Sequence, residues 1–263
     1  MLRLLSIGLA LALIAYLLRQ RVARRRRREA SQLARRQILE TRMRLWKRLP
    51  AHLQTELLER LETFLERVPF SGASPFVVTE EMRVVIGAQA CLVTLGHADY
   101  PFGALHGITV YPDEFVVHEE EEDEETGVVT EGFRTLSGQA IESDRIVLSW
   151  RDVEETERRE DGYNVVIHEV THFLEHARPG GDPAARAALE MAHQELQRAV
   201  DRGEPTLLDP YGCEDPAEFL AVAAETFFER PADLRARHPT LYVLLRDSFG
   251  VDPASWPGVE TPV

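Results

Sequence analysis

Apolar and polar positions along the chain predict an α+β protein. Leucine and isoleucine recur at three- and four-residue spacing through residues 30–67, which is the period of an amphipathic helix, and Pro50 divides this run into two helices. Residues 77–95 predict a further helix that Thr79 caps. The predicted strands, which we expect to form a short and mostly antiparallel sheet, lie at residues 108–111, 115–118, 128–130 and 145–150.

One apolar segment carries residues typical of a metal site. Residues 168–172 have the sequence HEVTH, which is the pattern H-E-x-x-H. On a helix His168 and His172 lie one turn apart on the same face, so both imidazoles can point at one metal ion. The carboxylate of Glu169 can then reach a water on that metal, as in zinc hydrolases. The competing interpretation is an amphipathic helix whose histidines are incidental.

A zinc site needs a third protein ligand, and the sequence after the motif excludes two sources. The metzincin pattern requires a histidine six residues after His172 with a glycine between them, but these positions are Arg178 and Glu175. His176 lies two turns beyond His168, about 12 Å along the helix axis, which is too far to join the same tetrahedron. A carboxylate from a later helix remains.

The segment 215–228 supplies such carboxylates. Asp215 before Pro216 is a typical helix start, and the helix that follows is almost wholly apolar. Its two acidic side chains, Glu218 and Glu225, are seven residues apart and share one face. This spacing favours one metal ligand and one partner that orients a ligand. The alternative is that both carboxylates cap the helix or form salt bridges at its surface.

These segments together resemble the bacterial Mlc titration factor A family of zinc-dependent peptidases, which are gluzincins. The resemblance covers about residues 45–250. The stretches that carry it are 164–169, Tyr211, 215–218 and 225–228 near the motif, and 80–92, 110–113 and 147–153 upstream. It implies an α+β, zincin-like fold with the H-E-x-x-H motif on a helix. In such folds an edge strand just before the metal helix commonly pairs with an extended substrate, and residues 145–150 are the expected strand.

Carried over by position, the resemblance implies a role for each residue of the motif. His168, His172 and Glu218 would bind one Zn²⁺ per chain. Glu169 would act as the general base that takes the proton of the attacking water. Tyr211 would stabilise the oxyanion that forms on the substrate carbonyl. The expected activity is hydrolysis of peptide bonds in a peptide or protein substrate, with aminopeptidase and endopeptidase action both open.

The resemblance also implies a second possible function. The best-known member of the family binds and titrates the transcriptional repressor Mlc. The alternative prediction is therefore a regulatory binding protein that sequesters a cytosolic partner such as a repressor, with catalysis secondary.

Charge is distributed unevenly along the chain, whose net charge is −14. Residues 1–48 hold 14 basic and 2 acidic residues, whereas the remainder holds 16 basic and 42 acidic ones. Such a basic end points to contact with a membrane or with nucleic acid. We expect the membrane and no nucleic acid, because an apolar run precedes the arginines.

The apolar run at residues 4–18 is bounded by Arg3 and Arg19 and is followed by arginines at 24–28. Fifteen helical residues span about 22 Å, short of the ~30 Å hydrocarbon core, but flanking arginines can extend the reach. The positive-inside rule then predicts a single-pass anchor of the bacterial inner membrane at residues 1–20, with a cytoplasmic catalytic domain. The alternative is a cleaved leader and a periplasmic enzyme.

The remaining predictions concern domain limits and single features. A basic helical linker is expected at 21–44, the peptidase domain at 45–252 and a flexible tail at 253–263. Two cysteines, Cys91 and Cys213, argue against a disulfide scaffold. The acidic run at 119–125 predicts a solvated hairpin loop, with a lid or weak cation site as the alternative.

Overall fold

The computed structural model describes residues 2–122, 129–136, 138–141, 144–159, 161–177 and 183–259, while the side chains of 1–15, 24, 27 and 115–143 lie outside that description. The described α-helices are α1 (Leu2–Arg42), α2 (Ala51–Arg67), α3 (Glu80–Leu92), α4 (Trp150–Thr156), α5 (Val165–Ala177), α6 (Pro183–Asp201), α7 (Pro216–Glu229), α8 (Pro231–Arg237) and α9 (Pro239–Phe249). The described strands are β1 (Phe70–Gly72), β2 (Gly107–Tyr111), β3 (Phe115–Glu122), β4 (Val129–Leu136), β5 (Gly138–Ile141) and β6 (Arg145–Ser149). The predicted α+β class is confirmed.

The main sheet has the strand order β1-β2-β6-β5. Strands β1, β2 and β6 are parallel to one another, and only β5 is antiparallel to its neighbour. The prediction of a mostly antiparallel sheet is therefore wrong for this sheet. The connectivity of the chain explains this difference. The separate antiparallel hairpin β3–β4 lies between β2 and β6 in the sequence, and β6 then returns beside β2 in the same direction.

The strand before the metal helix is internal. Residues 145–150 were expected to form an edge strand that could pair with an extended substrate, but β6 lies between β2 and β5. Four of its five residues are buried, as expected of a strand covered on both faces, and Trp150 already begins α4. Among the described strands, β1 and β5 are the outer ones of this sheet, and β5 contacts α5.

Several predicted helices are confirmed, with their local signals. Pro50 directly precedes α2, and the Thr79 hydroxyl accepts from the Met82 backbone N–H at 3.3 Å at the start of α3. In the core, Phe173 of α5 stacks on Phe102 at 6.1 Å between ring centroids. α5 therefore lies deep in the domain, packed against the sheet and α7.

The N-terminal region forms one long helix. α1 contains the apolar run and the basic segment in 41 continuous residues. Within the part of the chain that the structure describes, no helix has the length and apolar character needed to cross a bilayer. The predicted anchor at 1–20 and the membrane contact are thus not supported.

The helix α1, whose residues 21–44 are the predicted basic helical linker, contacts α2 and α3 of the domain. Leu39 is fully buried, Arg28 pairs with Glu62 of α2 at 2.7 Å, and Arg42 pairs with Glu154 of α4 at 2.7 Å. Part of the basic charge is therefore compensated by the domain's own carboxylates.

Two further segments carry predictions from the sequence, the flexible tail at 253–263 and the hairpin loop at 119–125. In the expected tail, Trp256 is buried and packs against Phe228, and residues 260–263 lie outside the described part. In the acidic run, residues 119–122 belong to β3, while 123–125 lie outside the described residues.

Candidate metal centre

The start of α5 is fixed by an asparagine. The Asn164 side-chain oxygen accepts from the Ile167 backbone N–H at 3.1 Å, which is the N-cap interaction that satisfies an otherwise unpaired helix donor. The residues from Val165 to Thr171 are buried, whereas Glu175 and His176 are exposed. The first two turns of α5 therefore place the H-E-x-x-H motif in the interior of the protein, whereas His176 lies at an exposed position.

The start of α7 presents the third predicted ligand. Asp215 caps this helix by accepting from the backbone N–H groups of Ala217 and Glu218 at 2.7 and 2.9 Å, and Pro216 occupies the first helical position. Glu218 thus lies in the first turn, where the helix dipole favours a negative charge. α7 packs against α5, which brings this carboxylate to the two histidines.

The three predicted ligands form a compact triangle of donor atoms. His168 Nε2 lies 3.1 Å from His172 Nε2 and 2.9 Å from Glu218 Oε2, and the third side, His172 Nε2 to Glu218 Oε2, is 3.4 Å. A tetrahedral zinc with ligands at 2.0–2.1 Å requires donor separations of about 3.3–3.4 Å. The triangle therefore fits a divalent ion with little movement, and its three donors account for three of the four positions of a tetrahedral zinc.

Glu225 orients the first histidine. Its Oε1 lies 2.7 Å from His168 Nδ1, and the carboxylate is only 3% exposed. A buried carboxylate at this position favours a proton on Nδ1, so that Nε2 would offer its lone pair to a metal ion when one is bound. The structure thus places Glu225 where the sequence analysis expected an orienting partner.

The site is strongly polarised in the metal-free protein. Burial disfavours a charged His168 ring, but hydrogen bonds to Glu218 and Glu225 outweigh it and raise its pKa to about 10. Burial also opposes ionisation of Glu218, yet hydrogen bonds from His168 and His172 hold its pKa well below the usual range. In the metal-free protein the positively charged His168 ring therefore pairs with neighbouring carboxylate charge at the position where a metal cation is expected.

Glu169 is buried beside this triangle. Its side chain is 5% exposed, and burial raises its pKa to about 7, against the opposite pull of His168 and His172. A carboxylate with a raised pKa is a better proton acceptor near neutral pH than an ordinary glutamate. This environment suits the general base that the motif predicts.

Tyr211 lies at the mouth of the site. It belongs to a short 3₁₀ turn, Pro210–Cys213, that Asp209 caps by accepting from the Tyr211 N–H at 2.9 Å. The Tyr211 ring is 6.0 Å from the His168 ring between centroids and is 36% exposed. The phenol is thus close to the metal ligands and accessible to a substrate.

Sequence reasoning missed a second layer of polar residues behind the ligands. Asn164 is fully buried, and its Nδ2 donates to Glu229 Oε1 at 2.9 Å. Glu229 also pairs with Arg44, which lies just after α1. Two signals in the sequence point to this layer: an asparagine directly before an apolar helix, and a third acidic residue four positions after Glu225 on the apolar α7.

Comparison with known proteins agrees with this geometry. A family model described as "Glucose-regulated metallo-peptidase M90" matches residues 17–250. The chain belongs to this family. The family's chemistry accounts for the triangle, so the chain is a metallopeptidase with His168, His172 and Glu218 as its candidate zinc ligands.

Individual relatives support the same assignment. An uncharacterised protein of Synechocystis sp. is 32% identical over 234 residues, which cover 82% of this chain and 83% of that protein. Mlc titration factor A of Pectobacterium atrosepticum is 36% identical over 206 residues, covering 73% of this chain and 77% of the relative. The protein of that name from Serratia proteamaculans is 34% identical over 200 residues, covering 71% and 74%. The resemblance seen in the sequence is confirmed.

The metal-free protein is expected to lose stability as pH rises from 6 to 8. The raised pKa of His168 gives stability that is complete below its unfolded value near 6.5 and is lost as pH rises toward 10. The raised pKa of Glu169 acts in the same direction, because stability is complete below about 4.5 and is lost as pH rises through 7. The unfolding free energy of chelator-treated protein should fall by about 1–3 kcal/mol.

Denaturant titration at the two pH values measures this fall. The Glu169→Gln protein, which lacks one of the titrating groups, should show a smaller decrease. Equal or greater stability at pH 8 in the unsubstituted metal-free chain would contradict the assigned environments.

Proposed function

We propose that this chain is a peptidase that uses one Zn²⁺ per chain to hydrolyse peptide bonds, with Glu169 as the general base. The observation that carries the proposal is the donor triangle of His168, His172 and Glu218 beside a buried glutamate whose pKa is raised to about 7. A two-histidine, one-carboxylate set also suits non-haem iron. The adjacent Glu169 and the metallopeptidase family favour zinc and hydrolysis.

In this mechanism the chain's own residues move the proton and bind the charge. Zinc, when bound, supplies Lewis-acid polarisation of the substrate carbonyl and lowers the pKa of a water ligand toward 7. Glu169 takes a proton from the water that attacks the carbonyl carbon, and returns it to the amine as the peptide C–N bond breaks. Tyr211 donates a hydrogen bond to the carbonyl oxygen while negative charge develops on it.

The outer strand β5 is the proposed binding edge for an extended substrate. β6, which was expected to do this, is covered by β5 on that side. β5 contacts α5, so a peptide that pairs with its outer edge would run past the metal helix.

Replacing Tyr211 by phenylalanine tests the proposed oxyanion contact. Because loss of one such donor typically costs about 100-fold in turnover, kcat should fall by about that factor while zinc content is unchanged. The measurement is steady-state cleavage together with metal analysis. Tyr163→Phe is the matched control, since it removes a similarly exposed phenol from the segment before α5. Loss of zinc, or unchanged turnover, would show that the assignment of Tyr211 is wrong.

The names of two relatives favour a second function. Proteins called Mlc titration factor A share about a third of their residues with most of this chain. The chain would then sequester a regulatory protein such as a transcriptional repressor of the Mlc type. Binding of the purified repressor from the same organism to the unsubstituted and Glu169→Gln proteins separates the two functions. Equal binding by both supports sequestration without catalysis, and no binding by either argues against it.

A further inference from the structure

A chain of buried hydrogen bonds runs from the metal helix to the end of α1. Glu225 uses one oxygen for His168 and the other, Oε2, to accept from the Asn164 backbone N–H. The Asn164 side chain donates to Glu229, whose second oxygen accepts from Arg44. The three inner residues, Asn164, Glu225 and Glu229, are between 0 and 4% exposed.

Such a chain is costly unless every member is paired. An unpaired polar side chain in the interior costs about 1–3 kcal/mol, and an unpaired charge costs more. Burial raises the pKa of Glu229 to about 7 although Arg44 and the hydrogen bond from Asn164 oppose it, so these two partners favour the ionised carboxylate. Arg44 is itself fixed by two hydrogen bonds. Its guanidinium donates to the Arg159 carbonyl at 3.0 Å, and its backbone N–H donates to the Glu157 carboxylate at 2.6 Å.

Both ends of the Asn164 side-chain amide are held by hydrogen bonds. Its oxygen caps α5 through the Ile167 N–H, and its nitrogen donates to Glu229 at 2.9 Å. Because His168 follows one turn later and its N–H donates to the Asn164 carbonyl at 2.9 Å, the cap fixes where the metal helix starts relative to α7.

We propose that Asn164, Glu229 and Arg44 are positioning residues of the metal centre, which hold Glu225 and, through it, the imidazole of His168. The inference rests on the metal site proposed above, and it extends the support of that site to the segment after α1. None of the three residues belongs to the donor triangle of His168, His172 and Glu218. They act by fixing a ligand in the geometry that binds zinc, an effect worth about 10–100-fold in affinity in other metal sites.

The test is a reversal of hydrogen-bond polarity between Asn164 and Glu229, measured as zinc affinity of the full chain by chelator competition. Asn164→Asp keeps the capping oxygen but places a second acceptor against Glu229. Glu229→Gln cannot accept from both Asn164 and Arg44, so one bond is lost. In the double variant the new amide donates to the aspartate and accepts from Arg44, which restores the whole chain.

Each single substitution should weaken zinc binding about tenfold, and the double variant should return to within about threefold of the unsubstituted chain. The visible spectrum of the Co²⁺-substituted proteins should shift in the single variants and recover in the double. Arg44→Met tests the outer end independently and should also weaken zinc binding about tenfold. Arg28→Met is the control, because it breaks an ion pair that joins α1 to Glu62 of α2 rather than to the Asn164 network, and it should leave zinc binding unchanged.

The inference is overturned if both single variants, folded by circular dichroism, bind zinc as tightly as the unsubstituted chain with the same Co²⁺ spectrum. It is also overturned if the double variant binds more weakly than either single one. Absence of zinc binding by the unsubstituted chain is a different result: it would refute the metal centre itself, and this inference with it.

Discussion

Replacing Glu169 by glutamine is expected to abolish peptide hydrolysis and to leave zinc bound. Glutamine has nearly the same shape but cannot accept the proton of the attacking water, and general-base catalysis contributes about 10²–10⁴-fold to rate. The three ligand atoms belong to other side chains, so their separations of 2.9 to 3.4 Å should persist. We expect kcat to fall by about 1,000-fold with an unchanged zinc content.

The matched control for this substitution is Glu175→Gln. It makes the same chemical change on the same helix, at an exposed position outside the metal site. It should retain full activity and full zinc. If the Glu169→Gln protein stayed active, the general base would be another group and the proposed mechanism would be wrong.

Replacing Glu218 by alanine is expected to remove the metal. This change deletes one corner of the donor triangle and leaves the two histidines as the remaining protein ligands. Because even the outer partners of a ligand are worth 10–100-fold, loss of a direct ligand should weaken zinc binding by more than about 100-fold. Activity should vanish with the zinc.

Chelator competition and metal analysis measure this loss. Glu195→Ala, which removes an exposed carboxylate from α6, is the control and should bind zinc normally. A Glu218→Ala protein that kept one tightly bound zinc would show that the third ligand comes from elsewhere. The same protein should also lose the gain in thermal stability that added zinc gives to the unsubstituted chain.

Local signals in the sequence predicted the residues of the site because their spacing is helical. His168 and His172 are four apart, and Glu218 and Glu225 are seven apart, so each pair had to share a helix face. The caps at Thr79 and Asp215 are equally local, since each side chain binds a backbone N–H two or three residues later. The packing of α5 against α7 then brought the two pairs together.

The parts that could not be predicted depend on partners far apart in the chain. The pattern of β6 indicates a strand, but not that its neighbour on one side is β2, across the whole β3–β4 hairpin. Glu229 contacts Asn164, which is 65 positions away in the sequence, and Arg44, which is 185 positions away. No periodicity links such positions, and a lone arginine after a basic helix resembles any surface charge.

The prediction of a membrane anchor depended on composition rather than on the spacing of residues within a helix. Charge asymmetry and an apolar run are properties of composition. They do not indicate which partner each charged side chain contacts in the fold. In the structure Arg28 and Arg42 pair with Glu62 and Glu154 of the domain. Two of the basic side chains of α1 thus have acidic partners in the fold, which composition alone did not indicate.

The most direct test of the central claim is metal-dependent cleavage of a peptide library by the full chain. The zinc-loaded protein should cleave, chelator treatment should abolish cleavage, and one equivalent of Zn²⁺ per chain should restore it. The fragments would also show whether cleavage is internal or at the amino terminus. Cleavage that is indifferent to the chelator, or a zinc-loaded chain that cleaves nothing in the library, would contradict the assignment of this site as a zinc peptidase.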